Sequence, residues 1–135
     1  MAKILVVEDD RDLNKAYCII LRHEGHEVVT AFDGKEALTK VGEFEPDLVL
    51  LDLLMPIMGG LEFLQSWSET GRKNVKVLIF TNMENSPEIS QAYKLGASRC
   101  IIKSWTAPHN LARVVAETLK SGNSSPKAKR LKTPA

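Results

Sequence analysis

No apolar run in this 135-residue chain approaches the roughly 20 residues that a membrane-spanning helix needs. Its start, MAKILVVEDD, lacks the basic segment, long apolar stretch and small-residue cleavage site of a signal peptide, so a cytoplasmic protein without membrane contact is expected. Cysteine is scarce: Cys18 and Cys100 show no metal-type spacing and are expected to be reduced packing residues. His23, His26 and His109 have no spacing with one another or with cysteine that suggests a metal site, and are expected at the surface or at helix ends. Aromatic residues are few, and Trp67 and Trp105 read as packing groups rather than as a stacking platform for nucleic acid. There is no internal repeat.

An excess of one charge is also missing, but its distribution is uneven. Of the 18 basic residues against 17 acidic ones, Lys127, Lys129, Arg130 and Lys132 sit in the last 15 residues with no acid among them. The remainder is therefore mildly acidic. Residues 122–135, rich in Ser, Pro and Lys, hold too little apolar surface to offset their ordering entropy and are expected to form a disordered basic tail on a single domain of residues 1–121. The KAKR stretch has the charge to touch nucleic acid, yet a solvated tail is the simpler reading.

Within 1–121 the hydrophobic pattern alternates. Apolar runs at 3–8, 27–31, 47–52, 76–81 and 99–103 have strand length and are rich in Val, Ile and Leu, as strands covered on both faces require. Helical periodicity fills the gaps: Leu13, Ala16, Tyr17, Ile20 and Leu21; Ala37, Leu38 and Val41; Phe63, Leu64 and Trp67; Ile89, Ala92 and Tyr93; Leu111, Val114, Val115 and Thr118. Asp10, Asp33, Ser86 and Thr106 are candidate N-caps, and Gly25, Gly71 and Gly96 candidate helix ends. Five strands and five helices in strict alternation specify an α/β fold, a doubly wound parallel sheet with right-handed crossovers and its ligand site at the carboxyl ends of the strands.

The strand ends carry the chemistry. The first run ends in Glu8 and Asp9, the third in Asp52, the fourth in Thr81 and Asn82, the fifth in Lys103. Crowded carboxylates raise one another's pKa, so such a cluster makes physical sense with a cation in it or with protons being handled. Taken singly, each residue has a plainer role: Asp10 as a helix cap, Thr81 as a locally bonded hydroxyl, Lys103 as surface charge.

Together, VVEDD, DLVLLDLLMPIMGG, LIFTN and KLGASRCIIK make residues 2–120 resemble the receiver domains of two-component response regulators. The resemblance implies a flavodoxin-like five-stranded sheet in the order 2-1-3-4-5. It implies that Asp52 accepts a phosphoryl group from a histidine kinase or a phosphotransfer protein, with Thr81 and Lys103 assisting. It further implies that Mg2+ is held by Asp9, by Asp52, by Glu8 through water and by the backbone carbonyl of Leu54, a donor set of the hard oxygen type that this ion takes. Such a domain is a phosphoacceptor rather than an enzyme acting on a separate substrate, and the face of the fourth helix, fifth strand and fifth helix is the usual contact surface for an output protein or a second receiver. An interaction module working without phosphorylation, and a piece of a larger regulator or hybrid kinase, are the alternatives.

Three positions depart from that family. Ser104 stands where a proline in a cis peptide bond usually follows the lysine, Cys100 where a Tyr or Phe usually precedes it by three, and Asn82 where a small residue usually follows the threonine. A trans Lys103–Ser104 bond is expected, because a cis bond before a non-proline residue costs about 2.5–4 kcal/mol. The side chains two positions beyond Asp52 and Thr81, Leu54 and Met83, cannot orient a water, so a long-lived phosphorylated form is expected.

Overall fold

Short runs of Val, Ile and Leu form five strands, β1 (Lys3–Val7), β2 (Glu27–Ala31), β3 (Leu48–Leu51), β4 (Lys76–Thr81) and β5 (Arg99–Ile102), in a computed structural model that describes residues 1–70, 74–82 and 86–120. All neighbours pair in parallel in the order β2-β1-β3-β4-β5, the order implied by the family resemblance. The strands alternate with α1 (Arg11–His23), α2 (Gly34–Phe44), α3 (Gly60–Ser68), α4 (Pro87–Lys94) and α5 (Leu111–Lys120). Among the described residues no helix is long and apolar enough to cross a membrane. The expected tail of 122–135 and the helix end at Gly71 lie outside the described residues.

Successive strand residues point to opposite faces, and both faces are covered. Leu5, Val7, Val49, Leu51, Val77 and Ile79 meet α2, α3 and α4 through Ala37, Phe63, Leu64, Trp67 and Ala92. Ile4, Val6, Leu48, Leu50, Leu78 and Phe80 meet α1 and α5 through Tyr17, Leu21, Leu111 and Val115. Trp67 is a packing group, as its pattern suggests: it stacks on Phe63 with ring centroids 5.4 Å apart. The side chain of Trp105 lies outside the described residues. Both cysteines are buried and free.

Helix starts follow their caps. The Asp10 carboxylate accepts from the Leu13 N–H and that of Asp33 from the Glu36 N–H, while Glu36 reaches back to the Phe32 N–H, a reciprocal arrangement close to a capping box. Ser86 takes the N-cap position of α4 without a side-chain bond to the helix. Thr106 does not cap the last helix. It ends a 3-10 turn over Lys103–Trp105, a second such turn over Pro108–Asn110 intervenes, and α5 begins only at Leu111. Proline at 108 favours extended backbone at Ala107, which interrupts a helix running on from Thr106. Gly25 and Gly96, with φ of 93° and 106°, end α1 and α4 as expected.

The buried stripe of α1 is rotated from the one its apolar residues suggest. Asn14, Tyr17, Cys18 and Leu21 are buried, whereas Leu13 and Ala16 are exposed. Asn14 explains the rotation, because its amide donates to the carbonyls of Glu8 (2.9 Å) and Ala31 (3.2 Å) where β1 and β2 end. A polar side chain thus takes a core position by satisfying two strand-end acceptors. Asn14→Ala is expected to cost about 1–3 kcal/mol in urea unfolding, because the Glu8 carbonyl loses this donor and that of Ala31 keeps only the Glu8 N–H. Leu13→Ala, the change that hydrophobicity alone would call worse, is expected to cost under about 0.5 kcal/mol. The reverse ranking would refute this account of the helix.

Candidate functional site

In a parallel sheet of this order the chain leaves β1 toward β2 on one side and later returns to β3 on the other, which opens a crevice at the carboxyl ends of β1 and β3. Glu8 and Asp9 follow β1 and Asp52 follows β3. Each is one or two residues past the strand, so the expected runs 3–8 and 47–52 are cut short where their side chains are needed. One further backbone bond on each side, Glu8 N–H to Ala31 and Asp52 N–H to Val7, both 3.1 Å, keeps these residues in line with the sheet.

The carboxylate oxygens of Glu8, Asp9 and Asp52 all lie within 4.8 Å of one another. Glu8 and Asp52 are buried and Asp9 is exposed, so the cluster is closed below and open to solvent above. Lys103, which follows β5 two strands from β3, reaches back to donate to Glu8 and, at 3.0 Å, to Asp52 Oδ2. The remaining carboxylate oxygens are engaged by the loops: Glu8 Oε2 accepts from the Asp10 N–H (3.1 Å) and Asp52 Oδ1 from the Leu54 N–H (3.3 Å). Burial pushes the Glu8 carboxyl above its usual range, against the pull of Lys103 and the Asp10 amide, and Asp52 adds to the rise. Burial alone would lower the Lys103 ammonium, but its bonds to Glu8 and Asp52 outweigh that and hold it above its ordinary value. The lysine is therefore a fixed cation. Oxygen-only donors with one open side fit a hard divalent cation such as Mg2+.

The loop after Asp52 is set by close backbone approach. A side chain at Gly60 would place its Cβ 2.5 Å from the Asp52 carbonyl oxygen, and one at Gly34 would sit 2.6 Å from that of Met58, to which the Gly34 N–H donates at 2.8 Å. Only glycine lets α2 and α3 begin this near the site. Between them the Met58 N–H bonds the Pro56 carbonyl at 2.7 Å across Ile57, whose φ is 67°. A β-branched residue in that region is strained, and such strain concentrates beside functional groups. Nothing in the hydrophobic pattern marks Ile57 out.

Thr81, the last residue of β4, is buried, and Asn82 follows it. All peptide bonds among the described residues are trans, as expected for Lys103–Ser104. Ser104 donates its N–H to Asn82 Oδ1 at 2.9 Å. Cys100 is buried among the side chains beneath α4, with its thiol pushed up to about 12 by burial, and brings no ring to the surface. His23 and His109 are exposed, while the half-buried His26 accepts from the Ala2 N–H at 3.1 Å on Nδ1. Leu54 is exposed beside Asp52, and Met83 lies outside the described residues.

Residues 4–116 match the sequence profile of the response regulator receiver domain. The chain is 36% identical over 115 residues, 84% of its length, to the DNA-binding response regulator MtrA of Mycolicibacterium paratuberculosis, and covers 50% of that protein. It is 34% identical over 125 residues, 93% of its length, to the transcriptional regulatory protein CpxR homolog of Haemophilus influenzae, covering 54% of it. The chain thus spans about half the length of the curated relatives it matches. Among solved structures, the CheY-like receiver domain of Methanospirillum hungatei superposes with a TM-score of 0.81 at 28% identity, over 88% of this chain and 94% of that one. Chemotaxis response regulator CheY4 of Vibrio cholerae gives 0.78 at 32% identity, over 87% and 98%.

Relief of the strain at Ile57 is measurable. Left-handed backbone costs a non-glycine residue roughly 1–2 kcal/mol, part of which glycine returns through its freer unfolded chain. Ile57→Gly is expected to raise stability to urea by about 1 kcal/mol. A loss of stability would show that the isoleucine side chain, not the backbone, holds this turn.

Proposed function

The chain belongs to the response regulator receiver family of two-component signalling, and on that premise we propose that it accepts a phosphoryl group on Asp52 from a histidine kinase or a phosphotransfer protein in the cytoplasm. The observation that carries this reading is the clustering of Glu8, Asp9 and Asp52 within 4.8 Å under a lysine bonded to Asp52.

In this reading an Asp52 carboxylate oxygen attacks phosphorus, the bond from phosphorus to the donor's imidazole nitrogen breaks, and that nitrogen keeps the electron pair. Asp52 then carries an acyl phosphate. Two negative groups must approach each other, so charge neutralisation and alignment are the whole of the task. Lys103, already charged and on Asp52, balances the incoming phosphoryl oxygens. Thr81, at the end of the neighbouring strand, offers its hydroxyl as a donor to one of them. Glu8, Asp9, Asp52 and the Leu54 carbonyl would hold Mg2+, which when bound supplies positive charge shared between the carboxylates and the phosphoryl oxygens.

Output would pass through protein contacts on the face of α4, β5 and α5, to an output protein or a second receiver. That face is polar: Glu117 bonds Arg99 at 3.1 Å and Arg113 at 2.9 Å, and these two guanidinium groups hold its carboxyl below the usual range.

Incubation with Mg2+ and a small-molecule phosphodonor, read by intact mass, is expected to add one phosphoryl group to the wild type and none to Asp52→Asn. Undiminished gain in the variant would sink the assignment of Asp52. No gain in the wild type would favour an interaction module working without phosphorylation, the reading that the buried Cys100 supports. The phosphorylated form is expected to be long-lived, because the apolar Leu54 cannot align the attacking water and the same is inferred of Met83. A variant with Leu54→Asn and Met83→Glu should lose phosphate several times faster than the wild type, as an acid or amide there can orient water. Equal lifetimes would show that these side chains do not gate hydrolysis.

A further inference from the structure

The departures at Asn82 and Ser104 meet in space. Thr81 pairs with Ile102 in the last register position of β4 and β5, so Asn82 and Lys103 are the first residues past the ladder on each side. There β5 turns directly into the 3-10 turn Lys103–Trp105. The first N–H groups of any helical turn have no partner within it and must be satisfied from outside. Serine at 104 carries an amide hydrogen that a proline would lack, and Asn82 Oδ1 takes it at 2.9 Å. The amide of Asn82 thus acts as a cap supplied by the neighbouring strand rather than by the turn itself.

We propose that Asn82 is a positioning residue for Lys103: by holding the Ser104 N–H it fixes the backbone from which the lysine reaches Glu8 and Asp52. The lysine is tied at both ends. Its ammonium is bonded to Glu8 and to Asp52 Oδ2, and the peptide that follows its Cα is bonded to the end of β4. A four-carbon stem has many rotamers, and an unanchored base would let the ammonium sample positions off the carboxylate pair. Asparagine at 82 suits the role because its oxygen reaches across the strand gap, which an alanine or glycine there cannot do. The same bond joins the residue after Thr81 to the residue after Lys103, so the ends of β4 and β5 that carry the hydroxyl and the ammonium are tied to each other.

The test uses the full chain with Asn82→Ala, which removes the acceptor, and Asn82→Asp, which keeps it. Amide hydrogen exchange at Ser104 and the NMR signal of the Lys103 ammonium are read first. Asn82→Ala is expected to speed Ser104 exchange at least about tenfold and to broaden the lysine signal, and Asn82→Asp to restore both. The rate of phosphorylation by phosphoramidate with Mg2+ is then expected to fall about three- to tenfold in Asn82→Ala, the range one neutral hydrogen bond commands, and to stay within about twofold of wild type in Asn82→Asp. Unchanged Ser104 exchange overturns the clamp. Faster Ser104 exchange with an unchanged lysine signal overturns its positioning role. The rate measurement rests on the phosphoacceptor reading of Asp52 and the two NMR measurements do not, so a wild type that takes no phosphoryl group would sink that reading while the clamp is still decided.

Discussion

Repulsion among carboxylates at the mouth of the sheet is the constraint on which the site depends. Two like charges about 4 Å apart repel by roughly 4 kcal/mol at an effective dielectric of ~20, more than a few ordinary hydrogen bonds return. Glu8 and Asp52 are nevertheless buried beside each other. Lys103 makes this tolerable by bonding both, and the Asp10 and Leu54 amides engage oxygens that the lysine does not. The exposed Asp9 adds the third charge on the open side, where water or a cation can answer it. The cost of assembling the cluster is spread over three loops, each of which must end its strand at a particular residue.

That requirement reaches into the second layer. α3 starts against the Asp52 carbonyl and α2 against the Met58 carbonyl, in both cases through a glycine whose missing side chain is what allows the approach. Asn14 of α1 ties off the carbonyls at the ends of β1 and β2 directly beneath Glu8. Three helices therefore meet the site with backbone or a short amide instead of bulk, and the apolar packing that stabilises the domain lies one turn further down.

Much of this was legible in the residues, and the limits have physical causes. Five runs rich in Val, Ile and Leu separated by helical periodicities announce a parallel sheet, and acids, a hydroxyl and a lysine at their ends point to the crevice. The strand order required the family resemblance, since periodicity describes faces and not neighbours. Apolar spacing misplaces the stripe of α1 because it counts Leu13 and overlooks Asn14, whose burial depends on the carbonyls of Glu8 and Ala31. Thr106 has the residue type of a cap but not its place, because two 3-10 turns separate it from α5. MPIMGG reads as a turn, but not as one in which Ile57 carries the positive φ, since isoleucine is an unfavourable residue there. The bond from Asn82 to Ser104 is a tertiary contact between residues distant in sequence and leaves no local pattern.

The burial of the two thiols bears on how the domain meets oxidants. Cys100, at about 12, and Cys18, raised by the same burial, remain neutral thiols across the physiological range. Peroxides and disulfides react with exposed thiolate, so both sulfurs are poor targets while the fold is intact. Cysteine at position 100 thus places its sulfur in the core, where burial shields it from such reagents.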